Sequence, residues 1–540
     1  MLRRILLSVF IFTYFHFNAF NQDVFHHISN TSVYEFIDEI ANLHVITDIN
    51  TSIKPYSRMQ IAKWLKQADE NRDRLNSRQQ KDLDFYLRDF NKELIGTKGD
   101  FKKRLDLFYY SDTLFKLTVN PVLGYQYWSN ENDNFFHRWN GAEFHASIGN
   151  HVGIYASLRD NLENIQLEKT HYLTQRTGAA YKESPTSRKG EYSEARGGIT
   201  YSWKWGHVAL IKDHFAWGTN YNGANILSGK TPSFPHLKLQ MHPVKWLHFN
   251  YVHGFLVSDV ADTTRSYKAG AKDRTVFVQK YLAANMFTVE PLKKLLISVG
   301  NSIIYSDEFQ LAYLIPVYFF KSVDHTATNT SGNFTGQNSQ FYFDISSRNI
   351  KYLHLYLSAF VDEFSKARFN TNQSSNFFSI KAGGALTHPL LFNATLIAEY
   401  TRTNPGVYKH FVNTTTFESN AFNLGHYLRD NAEEVYLAVR FRPISRLHIK
   451  ASYTAARKGP DYEYLGTGGS GLGLPFINKT MWKQVTTGLN ARYEIFNDVF
   501  AFAGIEISEV TGDADYMKAY TPVVLQGKTN TLTAGLNIGF

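Results

Sequence analysis

The chain contains no cysteine. That absence excludes a lipoprotein anchor on cysteine, a disulfide framework and thiolate metal sites. Beyond its first residues it also lacks any apolar run of the roughly 18 residues that a membrane-spanning helix needs. Runs of basic residues are missing too: the net charge of +9 comes from 57 Lys and Arg dispersed among 48 Asp and Glu, so no nucleic-acid partner is expected. Catalytic signatures are equally scarce. There is no G-x-S-x-G, H-E-x-x-H, phosphate loop or His/carboxylate pair at ligand spacing. No enzyme activity, metal or cofactor is therefore expected. A Ser–His dyad formed across strands would leave no local motif, so a hydrolase stays as the weakest alternative.

What the chain has is aromatics. Over 540 residues they make up 15%, with 33 Tyr and 42 Phe, yet mean hydropathy is only −0.32. Many aromatics without long apolar runs suit a chain that is apolar on alternate residues, as a membrane β-barrel is. The start reads as an export signal over residues 1–20. Arg3 and Arg4 provide a basic beginning, residues 5–15 an apolar stretch, and Phe17-Asn18-Ala19 a cleavage region.

Residues 30–98 are helical in pattern. Ser32 with Glu35, Ser57 with Gln60 and Ser77 with Gln80 each fit a capping box, and each precedes apolar residues at helical spacing. Val33, Phe36, Ile37 and Ile40 form the first stripe, Ile61, Trp64, Leu65 and Ala68 the second, Leu83, Leu87, Phe90 and Leu94 the third. Each stripe predicts burial against the other helices or against a barrel. Lys63, Lys66, Arg72 and Arg74 fall outside the stripes, on a face open to solvent or to a protein partner. His26-His27 precedes this domain in what reads as a flexible segment, more incidental than metal-binding.

From about Asp112 the period becomes two. At the end of the chain Leu532, Ala534, Leu536, Ile538 and Phe540 share one face, and Thr531, Thr533, Gly535, Asn537 and Gly539 the other. Hairpins are expected at 142–149 with 152–158, 196–205 with 207–212, 237–241 with 245–257, 279–290 with 295–304 and 341–345 with 353–361. More follow at 380–387 with 390–401, 434–442 with 447–454, and 485–494 with 499–509. Their turns hold Gly149-Asn150, Pro243, Pro291, Pro389, Pro443 and Asn497-Asp498, residues that favour chain reversal. Strands at 113–128 and 528–540 open and close the set, giving about 18, an even number as bacterial single-chain barrels require. Long polar connections at 160–195, 305–340, 402–430 and 455–483 alternate with the short turns. The Gly-rich stretch Gly466 to Gly473 reads as an extracellular loop. The fold class expected is thus an all-β transmembrane barrel over 110–540 with a small N-terminal helical domain, in the outer membrane of a Gram-negative bacterium.

If the apolar face meets lipid, the other face gathers Glu143, His145, Arg159, Arg196, Lys204, Glu399, Arg440, Lys450, Arg492, Glu494 and Glu506 toward the lumen. They would pair across a blocked lumen, line a pore or hold an anionic ligand. Of these Arg159, Arg440, Lys450 and Arg492 are the ligand-binding candidates. A large barrel encloses space that loops or the helical domain can fill.

The most specific segment runs from Phe215-Ala216-Trp217-Gly218-Thr219-Asn220-Tyr221-Asn222 through Gly223, Ala224 and Asn225 to Ile226-Leu227-Ser228, followed by Pro232 and Phe234-Pro235. It resembles the W-G…G…L-x-L-S…P motif of the Wzi-type capsule-assembly outer-membrane proteins. The stretches Tyr34-Glu35-Phe36-Ile37-Asp38 and Lys54-Pro55-Tyr56-Ser57-Arg58 are similar to that family's helical start, and the order of parts agrees. Here Lys230-Thr231 stands where the family has an N-A pair. The resemblance implies a surface lectin that binds capsular or related polysaccharide without catalysis. In that reading Trp217 and Tyr221 stack on a sugar ring while Asn220, Asn222 and Ser228 bond its hydroxyls. The alternative for the same segment is a plug folded into the lumen. Rival functions are a solute channel and a structural subunit that meets outer-membrane or periplasmic proteins through the helical domain. Outer-membrane lipid is an expected partner in each case, and a monomer is expected.

Overall fold

The computed structural model describes residues 23–94, 104–329, 336–364, 376–391, 393–462 and 474–539. The expected export signal, the Gly466–Gly473 stretch and the terminal Phe540 lie outside the described residues.

Eighteen antiparallel strands close into a barrel. In chain order they are β1 (Phe115–Ser129), β2 (Asn134–Ile148), β3 (Val152–Glu163), β4 (Gly190–Trp203), β5 (Gly206–Asp213) and β6 (Phe234–Val244). Then come β7 (Leu247–Leu256), β8 (Lys280–Leu292), β9 (Leu295–Ser306), β10 (Asn338–Ser347), β11 (Leu353–Glu363) and β12 (Phe377–Leu386). The last six are β13 (Ala394–Thr403), β14 (Ala432–Phe441), β15 (Leu447–Lys458), β16 (Trp482–Phe496), β17 (Val499–Gly512) and β18 (Gly527–Ile538). Closure is made by β18 against β1, with Leu532 opposite Ser129 and Ile538 opposite Leu123. Below that seam a short strand, Phe108–Ser111, continues the pairing along β1. Among the described residues no helix is long and apolar enough to cross a membrane; the strands do the crossing.

The alternation that defines the barrel is visible on β18, where Leu532 and Leu536 are exposed while Thr529 and Thr531 are buried. An apolar outer face and a polar inner one follow from surrounding the barrel with hydrocarbon. Short turns gather at one end, with Lys204-Trp205, Lys245-Trp246 and Asn497-Asp498 among them, and the long connections gather at the other. By that asymmetry the turn end is periplasmic. All the expected strands are present, most of them longer than their periodicity alone indicated.

Three helices, α1 (Thr31–Asn42), α2 (Arg58–Glu70) and α3 (Ser77–Phe90), close the periplasmic end. Their stripes meet in one core that includes Phe36, Ile37, Ile61, Leu65, Leu83 and Phe90. One capping box forms where expected in part: Ser57 accepts a hydrogen bond from the Gln60 N–H. The other two differ. The third box is Asn76 with Gln79, one residue earlier, because the Asn76 amide oxygen reaches the Gln79 N–H at 2.9 Å. At the first helix Asn30 is the cap and no side-chain cap bond forms: Asn30 donates to Asp498 at 2.6 Å, and Glu35 turns to the barrel wall.

The connection from β9 to β10 departs most from its expected polar character. Phe249, Tyr251, Tyr281 and Ile303 share the outward phase of Val299 and Phe287, yet they are buried. Residues 309–320 lie over them, packing Tyr313 and Phe320 against these outer faces. Asn285 donates to the Pro316 and Tyr318 carbonyls, at 2.9 Å each, and Asn301 accepts from the Phe320 N–H at 3.0 Å. Two asparagines that would otherwise face lipid are satisfied by this lap of chain.

Candidate functional site

The lumen is filled from both ends. From below, α1 carries Glu35, Asp38 and Glu39, a spacing that sets three carboxylates on one helix face. Asp38 pairs with Arg348, and Glu39 with Arg78 and with Arg442 at 3.5 Å. Glu35 meets Arg442 at 3.3 Å, His448 at 3.1 Å and Arg440 at 3.7 Å. Burial alone would raise the Glu35 carboxyl, but the surrounding cations, Arg440 foremost, hold it well below the usual carboxylate range. Further contacts tie the domain to one periplasmic turn after another. Asn42 reaches Thr387 at 3.2 Å, Asp82 accepts from Ser445 at 2.7 Å, and the Phe85 carbonyl accepts from Asn497 at 3.1 Å.

From above, the connection between β5 and β6, residues 214–233, folds back into the barrel. Trp217 is 1% exposed and packs with Phe215, Ile226, Leu227 and Phe234 against wall residues Val252, Leu282, Met286, Tyr342 and Phe360. The inner faces of β7 to β11 are therefore partly apolar, although Asp344 of that arc also points inward. Polar anchors flank this core. The Thr219 N–H donates to Asp344 at 2.7 Å, the Tyr221 N–H to Glu399 at 2.7 Å, and Asn222 to Glu434 at 3.1 Å. Lys381 donates to the Asn222 carbonyl at 3.0 Å. Near its start the segment Ala216-Trp217 pairs with Ile53-Lys54 of the helical domain, so the two fillings touch. A glycine is required beside it: Gly218 has φ +100, and a Cβ there would lie 2.9 Å from the Ser358 hydroxyl.

Between the fillings a cavity of about 340 Å³ remains. Asn220, Tyr221, Ser228 and Arg440 line it, together with Glu35, Asp38, Lys54, Lys230, His354 and Tyr427. The Tyr221 hydroxyl donates to Asp38 at 2.8 Å and lies 2.7 Å from His354 Nδ1, while the Arg440 guanidinium sits 5.3 Å from the Tyr221 ring centre. Aromatic faces, hydroxyls and both charge signs in one enclosure can bind a polar, multiply hydroxylated or charged solute.

The other expected site residues fall elsewhere. Trp217 presents no face to this cavity and offers no exposed ring for stacking. Asn222 is spent on the wall. Lys450 lies opposite Arg440 on the neighbouring strand, and Arg492, 3.2 Å from the Thr31 hydroxyl and 4.0 Å from Glu35, joins the cationic belt that receives α1. Arg159 is on the far wall, paired with Glu194 at 3.1 Å. Lys204 is not lumenal: it is exposed in the turn between β4 and β5. Site residues absent from the expected set include Asp38 and Glu39, whose helical spacing with Glu35 is a legible signal, and Asp344, Lys381 and Glu434, which point inward on the strand alternation.

His26-His27 is not a flexible segment either. His26 is 7% exposed, and His27 stands with Asp213 and His214 in a cluster of metal-ligating groups. The Ser29 N–H meets His27 Nδ1 at 3.2 Å, which leaves the His27 proton on Nε2, 3.2 Å from His214 Nδ1. His214 Nε2 lies 3.2 Å from a Glu194 oxygen.

Fold and site together define a transmembrane β-barrel of the Gram-negative outer-membrane type, its lumen occupied by a helical domain and an infolded loop. The structure is similar to that of Escherichia coli Wzi, an outer-membrane protein involved in group 1 capsule assembly and described as a carbohydrate-binding β-barrel. The TM-score is 0.55 at 12% identity, with 96% of this chain and 100% of that chain covered. Weaker likenesses are to Pseudomonas aeruginosa OccD3 (TM-score 0.42, 14% identity, 77% of this chain and 90% of that chain) and Acinetobacter baumannii OccAB2 (0.44, 8%, 78% and 97%). No protein-family model and no curated protein sequence matches the chain.

Proposed function

We propose that this protein binds a capsular or related surface polysaccharide and helps hold it at the cell surface, with no catalytic step. The observation that carries the reading is the doubly filled lumen. A barrel whose interior is closed by ion pairs below and an apolar core above is built as a rigid scaffold, not as an open pore. The similar fold of a carbohydrate-binding capsule-assembly barrel supports it.

In this reading a sugar unit at the end of a chain enters the 340 Å³ cavity, a size within the usual range for small-ligand sites. Asn220, Tyr221 and Ser228 bond its hydroxyls, and Arg440 meets an acidic substituent. Trp217 acts one step back by fixing the loop that presents them. The test compares polymer retained on cells with polymer shed into the medium. The strains are a deletion, the wild type restored, and Tyr221→Phe with Arg440→Gln restored. Shedding in the deletion and in the double variant, with both barrels folded, is the expected result. Full retention in the deletion strain would reject the proposal, and single-channel conductance would then decide for a solute channel.

A further inference from the structure

The helical domain is tied to the turns below β10 to β17; on the opposite side Val24 and Phe25 pack against Tyr155, Ala209 and Ile211, and a cleft remains beside them. This cleft, of about 550 Å³, is bounded by α2 on one wall and by the turns between β4 and β5 and between β6 and β7 on the other. Gln60, Lys63 and Trp64 point to one side of α2 because they are spaced three and four residues apart. Lys204 and Trp205 come from one turn, His242 to Lys245 from the next, and the His242 N–H donates to the Trp205 carbonyl at 2.7 Å, holding the two turns together.

Three cationic side chains thus surround one opening: Lys63, Lys204 and Lys245, all exposed. Two carboxylates also line it. They are Asp23, engaged by His207 at 3.0 Å, and Asp48. The floor holds a further donor. Trp64 is 4% exposed, and its indole N–H meets no acceptor among the described residues. A buried donor left without an acceptor costs stability unless something fills the place. Beside the cleft Trp205, Val244 and Trp246 are 44%, 43% and 56% exposed at the periplasmic rim, where aromatic side chains mark the membrane–water interface.

We propose that this cleft is a headgroup site for a glycerophospholipid of the periplasmic leaflet. Its phosphodiester sits among Lys63, Lys204 and Lys245 and accepts from the Trp64 N–H, while its acyl chains run outward over Trp205, Val244 and Trp246. The lipid fills the side of the barrel rim that the helical domain does not cover. A phosphate group bridges cations on α2 and on the two turns, so the lipid adds an attachment of α2 to the barrel rim beside the Asp23–His207 contact. This site is separate from the lumenal cavity and does not depend on the polysaccharide reading.

The experiment is native mass spectrometry of the full-length protein purified in detergent and challenged with dioleoyl phosphatidylglycerol, with dioleoylglycerol, or with glycerol 3-phosphate. Wild type is expected to retain phosphatidylglycerol and neither of the other probes, since one lacks the phosphate and the other the chains. Lys63→Gln with Lys204→Gln and Lys245→Gln is expected to lower retention at least about ten-fold, while Lys66→Gln, on the same helix outside the cleft, leaves it unchanged. Heat-modifiable migration confirms that each barrel is folded. Equal retention by the triple variant overturns the proposal. So does equal retention of dioleoylglycerol, which would assign binding to the apolar rim alone, or of glycerol 3-phosphate, which would make the site one for free phosphate esters.

Discussion

Ile53, in the segment between α1 and α2, lies directly opposite Trp217 of the lumenal loop in a two-residue antiparallel ladder. The pairing joins a segment from the periplasmic side to one that enters from the extracellular side. The Trp217 N–H and carbonyl also exchange hydrogen bonds with Leu227, at 2.8 and 3.2 Å, which folds the loop back on itself. The two fillings of the barrel are one packed unit across this contact, and several expectations follow from it.

Trp217→Ala removes the largest fully buried side chain of that unit. The expected loss is about 3–5 kcal/mol of loop packing, while the strand ladder keeps its hydrogen bonds. Conductance across a planar bilayer should rise from near zero to a resolvable single-channel level, with heat-modifiable migration unchanged. A variant as closed as wild type would show that the apolar core does not seal the lumen.

Gly218→Ala tests the same loop through its backbone. At φ +100 an added Cβ meets the Ser358 hydroxyl at 2.9 Å, and the conformation itself costs an L-residue at least about 1 kcal/mol. Increased proteolysis within 214–233, without loss of the barrel, is the expected outcome. Ser358→Gly placed with it should relieve the contact but not the backbone strain, so rescue should be partial.

Docking of the helical domain should depend on pH through Glu35. Its carboxyl is held below its ordinary value of 4.5 by Arg440, His448 and Arg492 against the opposing effect of burial. A depressed carboxylate contributes stability that is complete above its ordinary value and fades as pH falls through its value in the folded protein. Protease release of residues 23–94 should therefore be slow at neutral pH and accelerate well below pH 4.5. Glu35→Gln should be released readily at both, because the charge is gone throughout. The same pH dependence in Glu35→Gln as in wild type would assign it to other carboxylates.

Asp38 and Arg348 form a buried pair with side chains 15% and 4% exposed. Asp38→Ala leaves the guanidinium in the lumen with only neutral side-chain partners, Asn42 at 2.8 Å and His354 at 3.2 Å, an arrangement that typically costs about 3–5 kcal/mol. The helical domain should come free at lower denaturant concentration, followed by fluorescence from Trp64. Unchanged release would mean that the turn contacts at Thr387, Ser445 and Asn497 suffice.

On the outer wall, Tyr313→Ala should loosen the lap over β7 to β9. Tyr313 is fully buried, its ring tilted against Tyr305 with centres 4.7 Å apart, and its carbonyl accepts from Tyr251 at 2.7 Å. Trypsin cleavage after the exposed Lys321 should accelerate about ten-fold or more if local opening governs it. A rate equal to wild type would show that the asparagine contacts alone retain the lap.

Much of this architecture was legible in the residues, and the reason is local. A strand with lipid on one side and polar surroundings on the other must alternate, and Leu532 to Asn537 shows that without any partner in view. A helix that buries one stripe must repeat it at 3.6 residues, as Phe36, Ile37 and Ile40 do. Strand number, the helical domain and the inward phase of Glu399 and Arg440 follow from such rules. What the lumen holds does not, because it depends on contacts between residues far apart in the chain. Trp217-Gly218 reads equally as a sugar platform or a plug until Val252, Met286 and Phe360 are seen around it. Glu35 reads as a capping residue until the barrel brings Arg442 and His448 to it, and the outward-facing Asn285 finds its acceptors only where the Pro316 and Tyr318 carbonyls cover it. In each case the side chain's identity set what it needed, a charge partner, an acceptor or an apolar wall. Only closure of the barrel decided which distant residue supplied it.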